Sequence, residues 1–203
     1  TLVNAADLGR QSLKDFQVLI LPDGSYRSLR EKPLMEKLKE FVQTGGKLIA
    51  MENAVSVLAN AEWGIHRKED SPDDKNTDSL SLYGNQETDA LTRSLPGAIY
   101  KLDMDSTHPL AFGYPAYYYT LKTDTQPYQF LKDGWNVGTL DKDGYTAGFV
   151  GAAVQKGLKK GLVFGVDDMG GGTVVYLTED PLFRDFWENG KMLFCNAVFL
   201  VGQ

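Results

Sequence analysis

Glu52 is the residue around which chemistry could be arranged. It follows the short apolar run Leu48–Met51, the mark of a buried strand, and precedes Ala54–Ala59, a stretch of good helix formers. Gly45-Gly46 ends the helix before that strand. A strand, a sharp turn and a helix make the geometry of a nucleophile elbow. Such a turn needs small residues two before and two after its apex, and Ala50 and Ala54 stand at those places. The apex is a glutamate, a poor nucleophile toward amides, so the stretch has the form of an elbow without its thiol or hydroxyl. The same residues equally describe any buried strand followed by any helix. Asp23-Gly24-Ser25 closes the preceding apolar run. In an open α/β sheet this loop and Glu52 would both lie at the carboxyl ends of neighbouring strands, where ligands bind. Taken alone, Asp23-Gly24-Ser25 reads as a plain strand-to-helix turn.

Other reactive groups are few. His66 opens a polar stretch and is expected at the surface, and His108 sits in a His-Pro turn that reads as structural. Neither has a second ligand at metal spacing, and no Gly-x-Ser-x-Gly pattern occurs. The acidic group Asp70, Asp73 and Asp74 lacks the spacing and central glycine of a calcium loop. Tyr114, Tyr117, Tyr118 and Tyr119 could stack on a sugar or pack within a sheet. The lone Cys195 excludes an internal disulfide, and its apolar neighbours predict a buried, inert thiol.

These groups need a scaffold, and 203 residues are enough to bury one. A net charge of -6 argues against a nucleic-acid or anionic-membrane surface. No apolar run reaches membrane-spanning length. The chain begins at Thr1 and reads as a piece of a longer protein, in which any targeting signal is expected upstream. Thr1–Asn4 reads as a strand, and Phe16–Leu21 as a buried one closed by Pro22-Asp23-Gly24. A helix with Pro33 in its first turn carries Leu34, Leu38, Phe41 and Val42 on one face. The helix after the elbow runs to about Trp63. Short βαβα connections point to a parallel sheet covered by helices. His66–Asn85 is polar and reads as a long, mobile surface loop. From Ala98 the signal is β, with strands expected at 99–104, 117–121, 135–140, 148–154, 162–166 and 174–177. The glycines of Gly170-Gly171-Gly172 precede a strand, which fits a hairpin and not a phosphate loop. Met192–Leu200 is apolar on nearly every face and predicts a deeply buried helix.

Several of these segments together carry a resemblance. Leu19-Ile20-Leu21-Pro22-Asp23-Gly24, the Gly45-Gly46-Lys47-Leu48-Ile49 elbow, and Asp180-Pro181-Leu182-Phe183-Arg184 with Leu193-Phe194-Cys195-Asn196-Ala197 resemble the class I glutamine amidotransferase-like fold. With Pro96-Gly97-Ala98-Ile99-Tyr100 and His108-Pro109-Leu110-Ala111-Phe112-Gly113, the chain is most similar to the amidotransferase-like domain at the C-terminus of bacterial zinc carboxypeptidases of the carboxypeptidase A type. The resemblance implies one domain over 1–203 with a flavodoxin-like α/β sandwich, a mainly parallel sheet and a β-rich extension over 98–154. It implies a fragment of a longer chain, whose first strand and helix precede Thr1.

Active members have Cys at the apex and a His-x-Glu pattern after a late strand. Here the apex is Glu52, and Val174–Leu177 runs into Thr178-Glu179-Asp180 without a histidine. The resemblance therefore implies a non-catalytic accessory domain for interaction or ligand binding. Its degenerate pocket would comprise Asp23, Gly24, Ser25, Glu52, Asn53 and Glu179, with no metal or cofactor of its own. Zinc would belong to an upstream peptidase domain, its expected partner, in a periplasmic or secreted protein; a small polar ligand is the other candidate partner. A stand-alone hydrolase of the same superfamily and a carbohydrate-binding module are the alternatives. Within the pocket, backbone N–H groups at the helix start are expected to bond the Glu52 carboxylate and hold it charged, outweighing burial.

Overall fold

The computed structural model describes residues 1–68, 82–140 and 143–202. Asp70, Asp73 and Asp74 lie outside the described residues. The N-terminal part follows the apolar pattern closely. Strand β1 spans Val18–Leu21, and helix α1 spans Lys32–Gln43 with Pro33 in its first turn. Leu34, Leu38, Phe41 and Val42 are buried, as their spacing requires. Gly45, at φ 112°, turns the chain into strand β2, Lys47–Met51, every residue of which is buried. Helix α2, Asn53–Ala59, follows at once and stops short of Trp63.

The rest of the chain comprises helix α3 (Gln86–Thr92) and strands β3 (Gly97–Met104), β4 (Tyr117–Lys122), β5 (Trp135–Leu140) and β6 (Tyr145–Phe149). Helix α4 (Ala152–Leu158), strands β7 (Gly161–Met169) and β8 (Gly172–Leu177), and helix α5 (Glu188–Phe199) complete it. The sheet order is β1-β2-β8-β7-β5-β3-β4, with β6 also paired to β3. Only the β1/β2 and β2/β8 pairs are parallel; the other described pairings are antiparallel. The fold is α/β with a mixed sheet, and the mainly parallel sheet expected from the sequence is corrected. The cause is local. Gly170-Gly171 closes a tight β7–β8 hairpin, with Gly170 at φ 65°, so β7 must run against β8. The β3–β4 and β4–β5 connections contain no α-helix of the kind that usually carries a parallel crossover.

Core residues divide by the alternation of the sheet. Leu48 and Ala50 face Leu38, Val42, Leu58 and Trp63, beneath α1 and α2. Ile49 and Met51 face Val175, Leu177, Leu193 and Ala197, beneath α5. Three further expectations fail. Thr1–Asn4 forms no strand, and Leu2 is fully exposed. The strand expected over 148–154 stops at Phe149. Gly148 is at φ 105°, and Gly151 packs so closely that a Cβ there would lie 2.1 Å from the Thr92 carbonyl oxygen, after which α4 begins. Helix α5 buries Gly190, Leu193, Asn196 and Ala197, while Met192, Cys195 and Phe199 are exposed. Its apolar residues exceed what one face against the sheet can cover.

The end of α1 and the start of β2 press on the hairpin. A Cβ on Gly172 would stand 2.2 Å from the carbonyl oxygens of both Val42 and Gly46. Gly172→Ala is expected to lower the urea midpoint of unfolding, a loss of about 1–3 kcal/mol from backbone displacement. An unchanged midpoint would mean that this junction yields freely.

Candidate functional site

The elbow is present in backbone geometry. Glu52 has φ 44° and ψ -110°, a combination that L residues rarely adopt and that surrounding bonds must enforce. Its N–H donates to the Leu177 carbonyl at 2.9 Å, and its carbonyl accepts the Ser56 N–H at 3.1 Å. The first bond extends the β2/β8 ladder by one residue; the second starts α2. Ala50 and Ala54, two residues to either side, are fully buried. Small side chains are what this crowded corner requires, as the sequence indicated.

The side chain of Glu52 does not behave as expected. It makes no capping hydrogen bond to the start of α2. The first N–H of that helix, from Asn53, points instead to Asp23 Oδ1 at 3.3 Å. Burial pushes the Glu52 carboxyl up to about 7, and the charges of Asp23, Glu179, Asp180 and Asp124 push the same way. The self-bonded, charged Glu52 is thus corrected. Desolvation and like charge dominate, and the Asn53 N–H is directed to Asp23 and not to Glu52.

Glu179 is held apart from any ligand. It is buried, and Lys122 at the end of β4 pairs with it, while the Thr123 N–H lies 3.4 Å from its other oxygen. Burial raises its pKa more than Lys122 lowers it. Lys122 and Asp124 were missed from the sequence. The signal for Lys122 was available: it shares the inward face of β4 with Tyr118 and Thr120. Among the described residues, no group of three or more His, Cys, Asp or Glu could hold a metal ion.

Gly24, Ser25 and Asn53 line a cleft of about 1110 Å³ between α1 and α2, and Asp23, Glu52 and Glu179 are not part of its lining. The expected pocket is therefore split. Three of its residues face the cleft, and three belong to the acidic corner beside it. Arg27, Arg30 and Arg67, which also line the cleft, carried no motif in the sequence.

The remaining candidates lie elsewhere. His108 Nδ1 accepts the Leu110 N–H at 3.0 Å and so caps a short turn. Burial lowers its pKa against the pull of Asp105 and Asp168. It lines a hollow with Asp168 and Thr173, at the amino end of β8 and opposite the elbow. His66 is exposed. Tyr114 and Tyr118 meet edge-to-face, and Tyr118 is buried against Phe164. Tyr117 and Tyr119 are exposed but lie at 74° to each other, with the Lys101 ammonium 4.4 Å above the Tyr117 ring. They do not form a flat stacking surface.

A mixed α/β sheet with a strained strand-to-helix corner at the end of β2 is the class of fold that the geometry establishes. No protein-family model matches the chain, and no curated protein does. Among solved structures, a protein from Bacteroides uniformis described as ThuA-like aligns with a TM-score of 0.51 and 15% identity, over 97% of this chain and 74% of that one. The likeness extends to the fold alone. The β-galactosidase from Bacillus circulans sp. alkalophilus aligns with a TM-score of 0.48 and 15% identity, over 93% of this chain and 23% of that one. A cytoplasmic protein from Salmonella typhimurium aligns with a TM-score of 0.47 and 15% identity, over 96% and 73%. Among the described residues no helix is long and apolar enough to cross a membrane.

The raised Glu52 carboxyl has a thermodynamic sign. The folded chain holds this proton more tightly than the unfolded chain, so the associated stability is complete below about pH 4.5 and lost as pH rises through about 7. Glu52→Gln is expected to match the wild type at pH 4 and to exceed it at pH 8 by about 1 kcal/mol, after discounting for partial solvent screening. Urea denaturation at both values tests this, and a variant weaker than wild type at pH 8 would refute it.

Proposed function

We propose that this chain is a ligand-binding or interaction domain built on the amidotransferase-like fold, without glutaminase chemistry of its own. One observation carries the reading: the strained apex that would present a nucleophile presents Glu52 instead. The surroundings agree with it. The apex is ringed by carboxylates that would repel a developing oxyanion. The position following β8 holds Glu179, tied to Lys122, where a general base would be needed. His108 belongs to the other end of the sheet. The accessory role in a bacterial zinc carboxypeptidase is part of the proposal and rests on the sequence resemblance alone. It brings with it an upstream peptidase domain as partner and holder of the zinc, and a periplasmic or secreted location.

A second reading, a hydrolase using Glu52, has one observation in its favour. A carboxyl poised at about 7 on a strained backbone is suited to general acid–base work. The two readings separate in one assay. Purified protein is incubated with glutamine, a p-nitrophenyl ester and p-nitrophenyl glycosides at pH 6 to 8, beside Glu52→Gln. The expected outcome is no turnover above the buffer rate for either protein. Turnover by the wild type that disappears in Glu52→Gln would install the hydrolase reading in its place.

A further inference from the structure

We propose that the cleft between α1 and α2 binds a small hydroxylated anion, a polyol or sugar carrying a phosphate or carboxylate. The inference rests on the ligand-binding reading above and names the ligand class. The chain carries a net charge of -6, yet this cleft gathers Arg27, Arg30, Lys32, Lys39 and Arg67 against the single acid Glu36. An acidic protein that lines its cleft with cations attracts anions there against its overall field.

Lys39 lies over the Trp63 ring and donates to the Glu62 carbonyl at 3.4 Å, and Arg67 bonds Ser56; the other three cations are little engaged. Lys32 pairs only loosely with Glu36, 3.7 Å away, with both side chains exposed. Among the described residues, the guanidinium groups of Arg27 and Arg30 have no hydrogen-bond or ion-pair partner. They sit three residues apart, on and just before a short turn whose Leu29 is buried, so the core anchors that turn. Two free planar forks on one anchored turn suit the oxygens of a phosphate or carboxylate.

The facing wall has a different chemistry. Asn53, Ser56 and Asn60 recur at i, i+3 and i+7 along α2 and its end, and all three line the cleft. Short amides and a hydroxyl are donors and acceptors for hydroxyl groups. Ser56 is itself held by the Arg67 guanidinium. Arg67 therefore joins the polar wall to the cationic one. Asp23 and Glu52, the chain neighbours of Gly24 and Asn53, make that end unfavourable for an anion and favourable for hydroxyl donors. A ligand with one charged end and one hydroxylated end matches this gradient; a plain anion matches half of it.

Isothermal titration of the whole chain with glucose 6-phosphate, gluconate, glucose and inorganic phosphate tests the assignment. Glucose 6-phosphate or gluconate is expected to bind at least about tenfold more tightly than glucose, and which of the two binds identifies the charged group. Arg27→Gln with Arg30→Gln is expected to weaken that binding about tenfold or more, with the thermal unfolding midpoint retained because both side chains are exposed. Asn60→Ala should weaken glucose 6-phosphate or gluconate by about threefold to tenfold and leave inorganic phosphate unchanged. Absence of binding, equal binding by the double variant, or inorganic phosphate binding as well as the sugar ligands would each overturn the proposal. None of those outcomes touches the absence of glutaminase chemistry, which is overturned only if glutamine, ester or glycoside is turned over.

Discussion

Strand β8 lies parallel to β2 on one side and antiparallel to β7 on the other, and all six of its residues are buried. It is the joint between the two halves of the sheet. On one face Val174 and Tyr176 complete the core under α1 and α2. On the other Val175 and Leu177 complete the core under α5. The β2/β8 register sets Met51 opposite Leu177, so the residues that follow the two strands emerge side by side. Glu52 and the Thr178-Glu179-Asp180 segment are neighbours for that reason. The strained conformation of Glu52 is held by the next rung of the same ladder, the bond to the Leu177 carbonyl.

The site's electrostatics follow from that placement. Strand ends collect carboxylates at the corner, and only one of them, Glu179, has a buried cation beside it. A buried ion pair of this kind adds little to net stability, because desolvation offsets much of the attraction. Its position shows what it joins. Lys122 ends β4, at the far edge of the sheet path, and Glu179 follows β8 in its middle. The contact ties the β-rich region back onto the parallel one. A residue that could have faced a ligand is thereby committed to architecture, and the open surface shifts to the cleft beside it.

The parallel half of the fold was legible because its signals are local. The periodicity of Leu34, Leu38, Phe41 and Val42, the glycine stop and the Ala50–Glu52–Ala54 corner each lie within a few residues. The antiparallel half was legible as strands and, at Gly170-Gly171-Gly172, as the β7–β8 hairpin, but its other pairings were not, since they join distant segments. Gly148 and Gly151 end a strand that apolar composition alone would continue into α4. Cys195 is exposed although its apolar neighbours predict burial, because the sheet covers only one side of α5. At the site the position of Glu52 was readable and its ionisation was not. That depends on Asp23, Asp124, Glu179 and Asp180 converging from four separate segments.

The place of β8 in the sheet also governs the order in which the molecule can assemble. Lys47 of β2 pairs with Thr173, more than a hundred residues later in the chain. During synthesis β1, α1, β2 and α2 leave the ribosome long before their central neighbour exists. Until then one edge of β2, an apolar strand, has unpaired N–H and C=O groups, and such an edge invites pairing with another chain. The β7–β8 hairpin closes locally around Gly170-Gly171 and can enter the gap as a preformed unit. A topology dominated by such distant contacts folds slowly. Its hazard is a half-made sheet waiting for its last strand.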